Sequence, residues 1–347
     1  MAGKSPRDRP HTFVRDKFCQ LYRPVHYASG TWFKFNGVAY ETVPDYLVKQ
    51  QVQDIIDADR ALKIQPTFAN LRSITELIKI KIAIPDRAMD SNHNLLTFSD
   101  CTLEIDTRQR RMHSHKDLLT SAFSFPYDSA VRSDVWEMFL DKVVPDDCRD
   151  FIQEFAGYCL TTDMAHETAV WLYGPAGCGK STLIEGIRAA LGQRVVSFGI
   201  HNLEDRFGLA HLQGKTLAIS TETPASVRQI QLLSLLISGE GVTVEKKYQD
   251  GYEFFNHAKF LWAMNDVPKG DNFKGLDRRV VILKFPPLLE SERDENVKRP
   301  IQLSGQAVLN WMLEGLDRLH ARGHFERPSE SAHVLSLVSA SDVEVEM

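Results

Sequence analysis

The chain has 347 residues, 43% of them hydrophobic and 25% charged, with a net charge of −5. That length exceeds one ordinary core and gives about two to three domains, in the composition range of a soluble globular protein. No apolar run approaches the roughly 18 residues of a membrane span, and the mild acidity confines any nucleic-acid contact to a local basic patch. The five cysteines, Cys19, Cys101, Cys148, Cys159 and Cys178, form no CxxC pair and no even framework. That usage predicts a reducing cytoplasm and no structural zinc. The N-terminal MAGKSPRDRPHTF has no apolar core segment, so it is not a secretory signal.

A polar tail through Pro10 leads into an α+β accessory domain assigned to residues 1–130. Asn36-Gly37, between TWFKF and VAYETV, predicts a tight hairpin. PDYLVKQQVQDII reads as a helix with Pro44 in its first turn, and NLRSITELIKIKIAI as another ended by Pro85. After the strand-like TLEID comes a basic cluster, Arg108, Arg110, Arg111 and Lys116 with His113 and His115. It reads as a solvated turn or as a loop that meets DNA, and two histidines without a third ligand nearby are weak evidence for a metal. Residues 131–165 read as a helical linking or oligomerisation segment. Trp136, Phe139 and Leu140 share one face, and Phe151, Ile152, Phe155 and Tyr158 share the next. Such stripes are core, or in part a collar against a neighbouring subunit.

The apolar run AVWLY is followed by GPAGCGKST and then by LIEGIRAALG. The middle stretch fits G-x-x-x-x-G-K-[ST], with Gly174, Pro175, Ala176, Gly177, Cys178, Gly179, Lys180, Ser181 and Thr182 as the nucleotide-binding residues. The glycines let successive backbone N–H groups point at phosphate oxygens, and the start of the following helix adds its positive end. Lys180 would reach the β- and γ-phosphates of ATP, and the Ser181 hydroxyl would join the Mg²⁺ shell. A strand before and a helix after, broken by Gly192, complete the expected context.

The segments after the loop narrow the chemistry. TLAIS reads as a second buried strand ending in Thr221-Glu222, which makes Glu222 the candidate general base and a second Mg²⁺ contact. AKFLWAM reads as a third strand ending in Asn265, an amide placed to orient water. GLDRRVVILKF brings Arg278 and Arg279 ahead of a last apolar strand, and one of them would reach a neighbour's γ-phosphate. VTVEKKYQDGYEFF, with Asp250-Gly251 at its turn, predicts a two-stranded ribbon. Its Lys246 and Lys247 would touch DNA phosphates; ordinary surface lysines are the plainer reading. His257 comes next on the return strand, where a lone histidine is more often structural. AVLNWMLEGLDRLHARG predicts an amphipathic helix capping the preceding domain.

Taken in order, GPAGCGKST, RFGLAHLQGKTLAISTET, SGEGVTVEKKYQ, FLWAMND and LDRRVVILKF resemble the motifs of superfamily 3 (AAA+-like) helicases, in particular the helicase part of poxvirus- and phage-type primase-helicases. VWEMFLDKVVPDDCRDFIQEFAGYCLT and NLLTFSDCTLEIDTRQRRMHSH resemble segments upstream of the loop in that family, so the resemblance spans residues 90–290, with a weaker echo from Thr31. It implies an α/β P-loop NTPase core with a central, mostly parallel sheet over 166–290, preceded by the α+β domain and the collar-like segment and followed by helical residues 291–347. It implies an ATPase and DNA helicase that assembles as a ring, usually a hexamer, and draws single-stranded or forked DNA through a pore with 3′ to 5′ polarity. A primase or polymerase partner, a role in replication of a virus, phage or mobile element, and a place in the host cytoplasm follow from the same resemblance. Carried over by position, Lys180 and Ser181 hold phosphate and Mg²⁺, Glu222 is the acid, Asn265 the polar sensor, and Arg278 or Arg279 the arginine supplied in trans.

Three departures stand beside the resemblance. Thr221 occupies the place of a metal-binding Asp, LLSLLISGE lacks the lysine expected before its Gly-acid pair, and no primase catalytic domain is recognisable. The end at SASDVEVEM, where relatives continue, predicts a piece of a longer protein. Two rivals remain in view. An ATP-switched origin-recognition or loading module would share the core without unwinding DNA; a small-molecule kinase would need an acceptor pocket and no basic hairpin.

Overall fold

A computed structural model describes residues 9–329 except 206, 222–228, 245–251, 267–275, 277 and 295. The chain divides into two compact units, residues 1–91 with 113–121, and residues 92–112 with 122–347.

In the first unit α1 (Pro10–Leu21) begins with proline, whose missing N–H would have no partner in the first turn of a helix anyway. Strands β1 (Val25–Ala28), β2 (Thr31–Phe35) and β3 (Tyr40–Val43) form an antiparallel sheet. The β2–β3 turn centres on Gly37-Val38, one residue later than expected: the Asn36 N–H donates to Ala39 O at 3.0 Å. The Asn36 side chain accepts from the N–H groups of Val38 and Ala39, so asparagine acts here as an acceptor and not through a left-handed backbone. Helices α2 (Asp45–Ala58) and α3 (Phe68–Ile82) come next. Val14 and Phe18, Val52 and Ile55, and Ile74 and Ile78 bury together with Trp32 of β2. The Trp32 indole N–H donates to Asp45 Oδ1 at 3.1 Å, which ties the sheet to the start of α2.

The second unit opens with a small antiparallel sheet, β4 (Leu95–Thr97), β5 (Thr102–Glu104) and β6 (Arg110–Arg111). Residues 92–112 and 122–130, expected with the N-terminal domain, belong to this unit. The reason is burial: Leu96, Phe98, Leu103, Ile105, Phe123 and Tyr127 share a core with α4 (Asp134–Val143) and α5 (Asp146–Tyr158). The aromatic stripe on those two helices is buried inside the chain's own core.

The main sheet is built from β7 (Ala169–Tyr173), β8 (Val195–Ser197), β9 (Leu217–Ser220), β12 (Lys259–Met264) and β13 (Val280–Lys284). All pairings are parallel, in the order β13-β7-β12-β9-β8. Both faces are covered, so the strands read as continuous apolar runs. Val170, Leu172, Leu261, Ala263, Val281 and Leu283 face one core with α4, α5, α6 (Lys180–Leu191) and α10 (Gly305–Arg322). Trp171, Phe260, Trp262, Met264 and Ile282 face the other, with α7 (Ile200–Glu204), α8 (Ile230–Ile237) and the ribbon of β10 (Gly241–Val244) and β11 (Tyr252–Phe255). The short α9 (Lys298–Leu303) precedes α10, whose apolar side packs on α5 and α6 as the sequence leads one to expect.

Candidate functional site

Residues 174–179 connect β7 to α6 at the carboxyl end of the sheet. Gly179 is the N-cap of α6 with φ +95°, and a Cβ there would lie 2.3 Å from Cγ1 of Val143 on α4. Only glycine lets α4 close on the loop at this point. Lys180 is 6% exposed, and its Nζ donates to Gly174 O at 2.7 Å and Pro175 O at 2.9 Å. Asn265 Oδ1 lies 3.3 Å from the same nitrogen, and Cys178 Sγ 3.4 Å. The meeting of Lys180 and Asn265 follows from strand order. β12 is hydrogen-bonded beside β7 with Met264 opposite Tyr173, so the residue after β12 arrives at the loop.

A cavity of about 750 Å³ opens at this point, lined by residues 176–182, Thr221 and Asn265. Its other wall comes from the solvent side of α4, with Val135 and Met138, and from Leu288 and Val297 in the segment after β13. The cavity therefore has two halves. One offers backbone N–H groups at a helix start and a lysine, suited to an anion; the other is apolar and suited to a flat ring. Lys142 and Arg293 add positive charge to the lining, Glu292 and Asp294 negative.

Not every expected residue falls within this geometry. Glu222, Lys246 and Lys247 lie outside the described residues. The ribbon that would carry the two lysines is present, pairing Val244 with Tyr252. Arg278 is exposed. Arg279 is held within the chain: its Nε is 2.8 Å from Glu167 Oε2, and it donates to Ser234 Oγ at 2.7 Å. The basic cluster is likewise occupied in part. Arg108 bonds Asp317 at 2.6 Å, Arg110 donates to Tyr127 O, and Arg111 lies 3.5 Å from Glu104. His257 is structural, with Nδ1 2.8 Å from Thr162 O. The five cysteines are buried and unbridged, and no group of three or more metal-ligating side chains occurs among the described residues.

Two cations escaped sequence reasoning. Arg293 lies in the polar stretch SERDEN, which signals only a solvated turn. Lys259, the first residue of β12, reads as a strand boundary at the water's edge, yet it is 1% exposed. Its Nζ donates to Thr161 O at 2.6 Å and His257 O at 3.3 Å and lies 4.3 Å from the Tyr158 ring centre. Burial brings its pKa down to about 7.

Comparison with known proteins bears on two segments and on the fold. A family model described as D5 N terminal like matches residues 16–145. A family of unknown function (DUF5906) matches residues 172–279, which include the loop, β9, β12 and the ribbon. No curated protein matches the chain. An apo structure of the NrS-1 C terminal region (305-718) superposes with a TM-score of 0.58 at 13% identity, over 96% of this chain and 75% of that one. An A form apo structure of the same region gives 0.57 at 13%, over 95% and 74%. At that identity the likeness concerns the fold: a mixed α/β arrangement with a five-stranded parallel sheet. Among the described residues no helix is long and apolar enough to cross a membrane.

Proposed function

We propose that the chain is the ATP-driven motor part of a phage-type primase-helicase, a DNA helicase or translocase that works as a ring in replication. The observation that carries this reading is the convergence of Lys180 and Asn265 on one loop at the mouth of a cavity large enough for a nucleoside triphosphate. The D5 N terminal like segment upstream of the loop supports a replication protein, and so does the order of motifs in the sequence.

In this reading the triphosphate lies along residues 174–182, and its base enters the apolar slot between α4 and the segment after β13. Lys180 exchanges its loop carbonyls for phosphate oxygens, a stronger charge-assisted bond. Asn265 then orients the attacking water, and Glu222 takes that water's proton. Ser181 and Thr221 line the same cavity and offer hard oxygen donors, which fit Mg²⁺. Held by Ser181 and Glu222, the ion would neutralise charge developing on the transferred phosphoryl group. Arg278 is the arginine that reaches a neighbouring protomer's site, because it is exposed whereas Arg279 is tied to Glu167 and Ser234. Lys246 and Lys247, which fall in sequence between β10 and β11, grip DNA phosphates without regard to sequence.

The test is a mixing experiment. Lys180→Ala and Arg278→Ala proteins, each inactive alone, regain ATP hydrolysis when combined, since some interfaces then hold an intact loop and an intact arginine. Recovery that fails with Arg278→Ala but occurs with Arg279→Ala reverses the choice of arginine. ATP turnover stimulated by single-stranded DNA without strand displacement would make the chain a loading module instead of a helicase.

A further inference from the structure

We propose that Arg293 is a second cation of the nucleotide site, supplied by the same chain, which holds the phosphate groups from the open side of the loop. The proposal rests on the reading of residues 174–182 as a triphosphate cradle and adds a residue that the motif does not contain.

Three observations lead to it. The guanidinium lies against the loop backbone: a Cβ built on Gly177 would be 3.2 Å from Arg293 Cζ and 3.3 Å from Nε. Gly177 also has φ +80°, so the position favours glycine twice, once for the turn and once to admit the arginine. Second, Arg293 lines the cavity, in a segment whose Leu288 and Val297 line the apolar half. The segment therefore reaches both halves of the cavity. Third, although Glu292 and Asp294 flank it in sequence, no ion pair among the described residues holds the guanidinium. Arg279, on the same side of the sequence, is by contrast committed to Glu167.

The chemistry of the group fits the place. A guanidinium is a planar fork of donors that matches two phosphate oxygens at once, and it stays charged at every relevant pH. Lys180 approaches the phosphates from the floor of the loop, where it is buried. Arg293 approaches from the rim, where water would otherwise solvate the outer oxygens. The segment after β13 would then close over bound nucleotide by a charge contact and an apolar contact made together.

Calorimetric titration with MgATP and with magnesium tripolyphosphate, which has phosphates but no base, tests the assignment. Arg293→Gln is expected to weaken both ligands about tenfold, as the loss of one charge-assisted contact does. Arg293→Lys, which keeps the charge but loses the planar fork, is expected to recover part of that loss, and all three proteins to melt at the same temperature. Unchanged affinity for tripolyphosphate in Arg293→Gln overturns the proposal, and so does a loss of affinity matched by a lowered melting temperature, which would assign the side chain to packing on the loop. If the wild-type protein binds neither ligand, the reading of the loop falls, and this proposal falls with it.

Discussion

The two ends of the parallel sheet each bury a lysine and treat it in opposite ways. At the carboxyl end Lys180 leans on two loop carbonyls at the mouth of a cavity of about 750 Å³. At the amino end Lys259 donates to two carbonyls under the ring of Tyr158, with 1% of its surface exposed. The first lysine can trade its partners for an anion that enters the cavity. The second has nothing to trade with, and its surroundings press it toward the neutral form. Burial of a cation is thus uninformative by itself; what decides its use is whether a stronger partner can reach it.

The sharpest way to break the comparison is to remove each lysine and read both binding and stability. Lys180→Ala is expected to lose ATP affinity by more than ~100-fold, since buried charge-assisted contacts each carry a few kcal/mol. Its melting temperature should stay close to wild type, because water can reach the freed carbonyls. Equal ATP affinity in calorimetry would remove Lys180 from the site. Lys259→Ala should do the reverse. It should destabilise the protein by about 2–4 kcal/mol in denaturant titration, through a cavity and two orphaned carbonyls, while leaving ATP affinity within about threefold.

A smaller effect comes from pH. Lys259 titrates near 7 in the fold, below the ~10.4 of an unfolded lysine. Between those values the unfolded chain binds the extra proton, so stability rises with pH. From pH 7 to pH 9 the wild-type advantage over Lys259→Ala should therefore grow by up to ~1.4 kcal/mol per unit. A constant difference would mean that the lysine stays charged among its carbonyls. The buried thiol of Cys159, pushed up to about 12, lowers stability as pH rises above ~8.5, but it does so in both proteins and largely drops out of the difference. The smallest effect is expected from Asn265→Ala. Turnover should fall about tenfold with stability changed by less than ~0.5 kcal/mol, because the residue is exposed and its contact with Lys180 is long, at 3.3 Å.

The same contrast explains how much the sequence disclosed. Strands β7, β9, β12 and β13 were legible because a sheet covered on both faces needs unbroken apolar runs. The loop was legible because its glycines answer to local backbone geometry, as φ +95° at Gly179 illustrates. Lys259 was not legible, since its burial depends on Tyr158 and Thr161, which lie about a hundred positions earlier. Nor was the engagement of Arg279 by Glu167, 112 positions away. The placement of residues 92–112 escaped for a related reason. Short strands such as Leu95–Thr97 carry no sign of which core they will join, and only the core they share with α4 and α5 assigns them.

The root of the ribbon has its own consequence. Asn256, 1% exposed, donates from its side chain to Leu236 O at the end of α8 and to Ala258 O, and its Oδ1 accepts from the Ala258 N–H at 3.1 Å. The described part of the ribbon, Gly241–Val244 paired with Tyr252–Phe255, is therefore tied to the end of α8 through the residue that follows it. Under the function proposed above, any displacement of the ribbon's base would then require α8 to be displaced with it.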